Sequence, residues 1–312
     1  MYQDHLFNRT TSIVNVASVP QRSPFRYAGG KTWLIPRIRR LLDPFIREKL
    51  GLYPIEVTDF FEPFAGGGSI SLTVAAEKLA NHVTMVEIDE DVAAVWQTIL
   101  DPKGSEWLAQ RILSFDMNYE AVLQVLSEIP STTEARAFMT IIKNRTFHGG
   151  IMAPGAGLLK HGENGRGVRS RWYPETLARR IRDITQIRDR ITFIHGNGIE
   201  VLSRIAHRHD TACFIDPPYT VTGTKKKAGS RLYRYNEIDH EQLFSLASNI
   251  QGDYLFTYDV TDAVYNLAQS HTLQCRAVSM KNTHHATMDE LLISPNMSWL
   301  DEVPITSTIA AH

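Results

Sequence analysis

The sequence predicts an α/β fold in which helices cover both faces of a mostly parallel, Rossmann-like sheet. Short apolar runs typical of strands alternate with segments of helical periodicity, and glycine-rich or proline-rich turns follow two of these runs. The predicted strands are residues 57–61, 83–86, 191–194, 212–215, 254–257, 274–278 and 291–294. The predicted helices are residues 69–79, 91–100, 199–207 and 240–250.

One long segment interrupts this pattern in the 312-residue chain. Residues 101–190 lie between the second and third predicted strands and contain helix-like segments followed by a basic, glycine-rich run at 149–171. We predict that they form an inserted, mostly helical lobe beside the sheet. Residues 23–100 and 191–312 would form the main domain, and residues 1–22 a poorly ordered leader.

The composition indicates a soluble globular protein, with 43% hydrophobic and 21% charged residues. No apolar run approaches the roughly 18 residues of a membrane span, and the N-terminus lacks the features of a secretory signal, so we expect a cytoplasmic protein. Cys213 and Cys275 lie far apart in strand-like runs. This placement favours buried thiols over a disulfide, and neither cysteine has histidines at metal-ligand spacing.

The net charge of −1 conceals an uneven distribution. Residues 143–190 contain eleven Lys or Arg against four Asp or Glu, and residues 225–234 contain five against none. Two basic segments in an otherwise acidic chain indicate a surface for a polyanion such as nucleic acid. The alternative is that the arginines of the first segment form the solvated side of an ordinary amphipathic helix. These arginines are Arg179, Arg180, Arg182, Arg188 and Arg190.

A loop directly after the predicted strand at 212–215 reads Asp216-Pro217-Pro218-Tyr219. The prolines deny the chain helical and ladder hydrogen bonds, so it leaves the sheet as a stiff loop at the carboxyl edge, where open α/β sheets bind ligands. A carboxylate, an unpaired Pro217 carbonyl and an aromatic ring together suit an exocyclic amino group on a stacked base. The alternative is an ordinary proline turn after a strand.

A second loop runs from a strand through glycines into a helix and reads Glu62-Pro63-Phe64-Ala65-Gly66-Gly67-Gly68. Glycines let the backbone approach a ligand closely, but the spaced glycines of dinucleotide enzymes are absent, so the loop indicates only a nucleotide-like ligand. After the next strand, we expect Glu87 to hold a ribose and Asp89 to cap a helix. A solvated strand end is the alternative for Glu87.

A third segment, Arg26-Tyr27-Ala28-Gly29-Gly30-Lys31, precedes an amphipathic helix that begins near Trp33. A lysine at a helix start is unfavourable beside the positive end of the helix dipole. We therefore expect Lys31 to pair with an anion such as a ligand carboxylate. A solvated lysine is the alternative.

Together and in this order, the three segments resemble the Dam-like (D12 class) family of DNA N6-adenine methyltransferases. The resemblance covers most of the chain and extends to Asn144-Arg145, Trp172-Tyr173-Pro174 and Met288-Asp289-Glu290-Leu291-Leu292. It implies a Rossmann-like enzyme that transfers a methyl group from S-adenosylmethionine to N6 of a flipped adenine in DNA. Residues 23–100 and 191–312 would then be its catalytic domain, and residues 101–190 its DNA-recognition lobe.

This resemblance, with the basic segments, also assigns residues to sites. The catalytic residues would be Asp216, Pro217, Pro218 and Tyr219. The cofactor-binding residues would be Tyr27, Lys31, Phe64, Ala65, Gly66, Gly68, Glu87, Ile88, Asn197 and Asp216. The DNA-binding residues would be Arg26, Arg145, Lys160, Arg166, Arg169, Arg171, Lys225, Lys226 and Lys227. No metal is implied.

The sequence departs from the family pattern at three positions. Asn197 stands where many relatives carry an acid after the third strand, so its expected contact with the cofactor adenine rests on a different side chain. Gly149 and Ala153 stand where members that read GATC carry asparagine and arginine. We therefore do not expect GATC specificity.

Other functions remain open on the sequence alone. The same loop chemistry could serve the N4 amine of cytosine or an adenine in RNA, although the rest of the family pattern argues against both. Two alternatives belong to other classes of protein. The intact loop at 216–219 argues against an inactive DNA-binding module, and the absence of spaced glycines argues against a nicotinamide enzyme. We expect double-stranded DNA as the partner, a monomeric enzyme, and a cognate restriction enzyme as an optional partner.

Overall fold

The computed structural model describes residues 9–10, 19–26, 30–152, 156–159, 162, 165–218, 238–281 and 287–301. Its strands are β1 (Arg9–Thr10), β2 (Asp59–Glu62), β3 (His82–Glu87), β4 (Ile191–His195), β5 (Thr211–Ile215), β6 (Asp253–Asp259), β7 (Gln274–Lys281) and β8 (Thr287–Ser294). Each of the seven strands predicted from the sequence is present, with shifted ends. The apolar runs predicted them correctly because they are buried in the sheet.

The strands form one sheet in the order β1-β7-β8-β6-β5-β2-β3-β4. Neighbouring strands are parallel, except that β8 runs antiparallel to both β6 and β7. From the middle of the sheet, β2, β3 and β4 follow one another in one direction, whereas β5 and β6 lead in the other. The direction of winding therefore reverses between β2 and β5, which confirms the predicted Rossmann-like α/β fold.

The helices are α1 (Ile35–Leu42), α2 (Pro44–Lys49), α3 (Ser69–Glu77), α4 (Glu90–Leu100), α5 (Pro102–Ser114), α6 (Tyr119–Ser127), α7 (Thr133–Thr146), α8 (Pro174–Thr185), α9 (Gly198–Ile205), α10 (His240–Ala247) and α11 (Asp262–Ser270). Most begin at a side chain that accepts a hydrogen bond from the first turn, as the sequence signals for helix starts predict. These capping residues are Asp43, Asp89, Asp101, Asn118, Thr132, Asn197, Asp239 and Thr261.

The helices form a layer on each face of the sheet. On one face α1, α3 and α4 bury side chains such as Ile38, Leu72 and Trp96, which belong to the larger hydrophobic core. On the other face α9, α10 and α11 bury a second core that includes Leu202 and Phe244. Burying both faces explains why the central strands are apolar along their length rather than alternating.

The segment between α4 and β4 is mostly helical and extends the first of these layers. Helices α5, α7 and α8 pack against α4, and Leu108, Ile141 and Leu177 join the same core as the sheet. After α7 the glycine-rich turn is closed by an antiparallel bridge between Phe147 and Leu158. The assignment of residues 101–190 to DNA recognition remains a prediction.

Part of the expected leader belongs to the fold. Arg9–Thr10 pairs in parallel with β7, and Val19 is only 4% exposed in the larger core. Both cysteines are free thiols, as predicted, and burial raises the pKa of Cys213 to about 12 and that of Cys275 to about 11. No helix within the described ranges is long and apolar enough to cross a membrane.

Candidate active site

The reversal of winding brings two loops to the same edge of the sheet. The loop 63–68 follows β2, the loop that begins Asp216-Pro217-Pro218 follows the neighbouring β5, and Glu87 ends β3 on the other side of β2. Ligands of open α/β sheets bind at this point, outside the carboxyl ends of the strands. The three sequence signals therefore converge on one site.

The glycine loop is held tightly against β3 and α4. The Trp96 indole N–H donates to the Gly66 carbonyl at 2.9 Å, and the Ala65 N–H donates to Val86 at 2.9 Å. Gly68 has a φ of +61°, and a Cβ there would lie 2.5 Å from the Met85 Cε atom and 2.8 Å from the Trp96 ring. Only glycine fits at this position, so the loop has one shape imposed by packing.

Glu87 is fixed by the backbone around it. One carboxylate oxygen accepts from the Gly66 N–H at 2.9 Å and the other from the Asp89 N–H at 2.9 Å, while the side chain is nearly buried. Burial raises its pKa to about 7, which the bond from Asp89 opposes. The adjacent Ile88 side chain is 41% exposed, which gives the site an apolar surface beside an oriented acid.

Glu62, at the end of β2, is a second buried acid at this edge. It is 3% exposed, and its Oε2 accepts from the Ser71 N–H at 2.9 Å. Burial raises its pKa to about 8, and the negative charges of Asp216 and Glu87 add to the increase. Glu62 is therefore largely protonated at neutral pH.

The raised pKa values of Glu62 and Glu87 predict that stability falls as pH rises. Between about pH 4.5 and 8 the folded state retains protons that the unfolded chain releases, so the free energy of unfolding decreases through this window by a few kcal/mol. The melting temperature should therefore be higher at pH 5 than at pH 8.5. Glu62→Gln should flatten this dependence, whereas Glu200→Gln, at an exposed glutamate, should not. Equal slopes for all three proteins would contradict the assignment.

Asp216 is held on both of its oxygens. Oδ1 accepts from the Thr257 hydroxyl at 2.8 Å, and Oδ2 lies 2.8 Å from Lys31 Nζ. The same ammonium lies 3.0 Å from Glu290 Oε1, and Lys31, Thr257 and Glu290 are all buried. Asp216 itself remains partly exposed. The anions near Lys31 are thus two carboxylates of the protein, which the sequence did not identify.

A short segment, residues 23–26, crosses from the glycine loop to helix α7; we call it the strap. At one end the Ser23 hydroxyl donates to the Gly67 carbonyl at 2.5 Å. At the other end the buried Asn144 amide accepts from the Arg26 N–H and donates to the Arg26 carbonyl, both at 2.8 Å. Asn144 also donates to the Gly150 carbonyl at 3.1 Å. The strap therefore joins the glycine loop to the glycine-rich turn after α7.

Residues 27–134 contain the glycine loop, Lys31 and Glu87, and they match the family described as D12 class N6 adenine-specific DNA methyltransferase. The similarity to the D12 class adenine methyltransferases covers this segment of the chain. The match confirms the predicted family, the predicted enzyme class of adenine-specific DNA methyltransferase, and S-adenosylmethionine as the predicted cofactor.

Among solved structures, the methyltransferase is similar to precorrin-6y C5,15-methyltransferase from Geobacter metallireducens GS-15, with 9% identity and a TM-score of 0.33. That alignment covers 82% of this chain and 85% of the other. It is also similar to the rRNA methyltransferase aviRa from Streptomyces viridochromogenes, with 13% identity, a TM-score of 0.35, and coverage of 83% and 84%. No curated protein matches the chain.

The arginines predicted to bind DNA differ in their surroundings. Arg26, Arg166 and Arg169 are exposed, although Arg169 also donates to the Met117 carbonyl. Arg145 is 4% exposed and donates to the Pro24 carbonyl of the strap. Arg145 thus lies beneath the strap, which it holds through the Pro24 carbonyl, and its side chain is not at the surface. Burial, with the like charges of Arg180 and Arg26, lowers its pKa.

Three other arginines of the basic segment have partners within the protein, so the segment is not simply the solvated side of a helix. Arg180 donates to the Ser23 carbonyl at 3.0 Å, and Arg190 donates to the Ala80 carbonyl at 2.7 Å. Arg182 pairs with Glu106 at 2.6 Å on the surface. These contacts give the three residues structural roles.

Arg171 is partly exposed at the end of the helical turn Gly167–Arg171, and the other predicted site residues fall into two groups. Asn197 caps α9, and its Oδ1 accepts from the Ile199 N–H at 3.0 Å, so that oxygen already has a partner. Phe64 packs against the second core. The predictions for Tyr27, Lys160, Tyr219, Lys225, Lys226 and Lys227 lie outside the described residues.

The sequence analysis assigned no site role to four polar residues that shape the site: Thr257, which it did not name, and Glu62, Asn144 and Glu290, which it named only within motifs. Each is at most 4% exposed. A polar residue at a position that the strand or helix pattern assigns to the core could have identified them. Buried polar groups need partners, so such a residue indicates a contact with another polar group. For Glu290 the signal was an acid next to the apolar run of β8.

Proposed function

We propose that this methyltransferase acts at a specific site in double-stranded DNA and methylates N6 of an adenine flipped into the site beside Asp216. The observation that carries the proposal is the fixed carboxylate of Asp216 at the carboxyl end of β5. Thr257 and Lys31 hold both of its oxygens, while the side chain stays partly exposed next to the glycine loop. An aligned acceptor at this place suits an exocyclic amine.

The residues at the glycine loop fit S-adenosylmethionine. Glu87 offers an oriented carboxylate for ribose hydroxyls, and Ile88 offers an exposed apolar side chain for an adenine ring. Ala65, Gly66 and Gly68 would pass beneath the methionine part, where side chains would obstruct it. When bound, the cofactor supplies a methyl group on a sulfonium, a donor that carries its own leaving group.

The protein's part in the reaction is to position the adenine amine and to accept the proton that it releases. The adenine N6–H bonds point to Asp216 and to the Pro217 carbonyl, which makes the nitrogen lone pair more available. The cofactor held by Glu87 and the glycine loop would supply the methyl group that N6 takes up, and its sulfur would keep the electron pair of the bond that is given up. N6 then releases one proton, which passes by way of Asp216 to solvent.

The DNA surface would be formed by the exposed arginines near the glycine-rich turn. Arg26 is exposed on the strap, and Arg166 and Arg169 are exposed beside or within the helical turn Gly167–Arg171, which packs against α7. Arginines in such positions contact phosphates or guanine edges, and only the base contacts carry sequence information. We further propose that the enzyme acts as a cytoplasmic monomer, with or without a cognate restriction enzyme.

Sequencing of single DNA molecules from a methylation-free host that expresses the protein tests this function. We expect N6-methyladenine within one short sequence motif, and unmodified DNA from a host that expresses Asp216→Asn. Modification of cytosine, or of RNA alone, would contradict the proposal. Unmodified DNA in the presence of folded, cofactor-binding protein would also contradict it.

A further inference from the structure

Strand β8 contributes a carboxylate to the site, far outside residues 27–134 that carry the family match. Glu290 is 4% exposed, and its Oε1 lies 3.0 Å from Lys31 Nζ, which in turn lies 2.8 Å from Asp216 Oδ2. We propose that Glu290 is a positioning residue for methyl transfer, which acts through Lys31 to keep Asp216 oriented and able to accept a proton from the substrate amine. This inference rests on the proposed transfer to adenine beside Asp216.

The register of the sheet directs Glu290 to this place. On β6 and β8, Thr257 is opposite Leu292 and Asp259 is opposite Glu290. Because side chains alternate along a strand, Glu290 and Leu292 point to the same face as Thr257. Thr257 donates to Asp216 on that face, and Lys31 reaches it from the segment before α1. The contact between Glu290 and Lys31 is thus built into the pairing of the strands.

The two distances at Lys31 explain what Glu290 does. An ammonium that bonded to Asp216 alone would compete with the substrate amine for the lone pairs of that carboxylate. Here the ammonium is shared between two carboxylates at similar distances of 2.8 and 3.0 Å. Sharing weakens the hold of Lys31 on Asp216 while still fixing its direction, and Thr257 fixes the other oxygen. Asp216 is therefore oriented without losing its capacity as an acceptor.

Glu290→Gln tests this role because it removes the charge and keeps the size and one acceptor oxygen. We expect its single-turnover rate constant to fall at least about tenfold, while the cofactor dissociation constant changes by less than about threefold. Lys31→Met should lower the rate constant further than Glu290→Gln does. In the Lys31→Met background, Glu290→Gln should cause no additional loss, because the residue acts only through Lys31.

Two further variants complete the test. Asp289→Asn changes the preceding residue of β8, which accepts from Ser279 at 2.6 Å, and should leave the rate constant unchanged. Glu290→Asp keeps the charge, and it can be measured in place of Glu290→Gln if that variant does not fold. The rate constant of Glu290→Asp should exceed that of Glu290→Gln.

Three results would overturn the inference alone. These are an unchanged rate constant in Glu290→Gln, a loss in Glu290→Asp as large as in Glu290→Gln, and independent, multiplying effects of Lys31→Met and Glu290→Gln. No transfer by the wild-type enzyme would overturn the proposed function as well.

Discussion

Asp216→Ala is expected to abolish methyl transfer, with a rate constant about 10³-fold or more below that of the wild type. The substitution removes the carboxylate at the end of β5, whose two oxygens are held by Thr257 and Lys31. Cofactor affinity should change by less than about threefold, because Glu87 and the glycine loop are not altered. Single-turnover transfer to DNA and calorimetric titration with S-adenosylmethionine measure the two quantities separately.

Asp210→Asn is the matched control for this substitution. Asp210 directly precedes β5, as Asp216 directly follows it, and it pairs with Arg208 at 2.7 Å at the opposite edge of the sheet. Its substitution should leave transfer intact. A wild-type rate constant in Asp216→Ala, or an equal loss in both variants, would refute the role given to Asp216.

Lys31→Met is expected to lower both the stability of the fold and the rate of methyl transfer. The substitution removes the buried ammonium that lies between the carboxylates of Asp216 and Glu290. Removing one partner of a buried ion pair costs about 3–5 kcal/mol, because a charge remains in a medium of low polarity. Transfer should fall at least about 100-fold, since Asp216 loses its fixed orientation.

Chemical denaturation and single-turnover assays measure these two losses. Lys103→Met, which removes an exposed lysine on α5, provides the control and should alter neither quantity. If Lys31→Met were as stable as the wild type, the buried ion pairs would not form in solution as described here.

The local motifs were predictable from the sequence because the physics behind them is local. A proline pair after a strand, glycines before a helix and an acid at a strand end each define a turn within a few residues. The positions of seven strands along the chain followed from apolar runs of the right length. These signals predicted that Asp216, Glu87 and the loop 63–68 lie at the carboxyl ends of their strands, as the structure shows.

The contacts between these motifs were not predictable in the same way. Glu290 reaches Lys31 only through the register of β8 on β6, and an antiparallel strand between β6 and β7 departs from simple winding. Arg145 was predicted to contact DNA because it is a basic residue beside a glycine-rich turn, but the sequence did not show that it is buried and bonded to the Pro24 carbonyl. The rotation of α7 places it in the interior instead, 4% exposed.

The strap sets a condition for exchanging the glycine-rich turn after α7 between related chains. Its backbone is held by Ser23 at Gly67 and by Asn144 next to α7, and a Cβ at Gly150 would lie 2.4 Å from the Arg26 carbonyl. A graft that replaces the glycine-rich turn alone would put a foreign backbone against this carbonyl. A working chimaera must therefore carry residues 23–26 and 144–150 together from the same parent, as one transplantable unit.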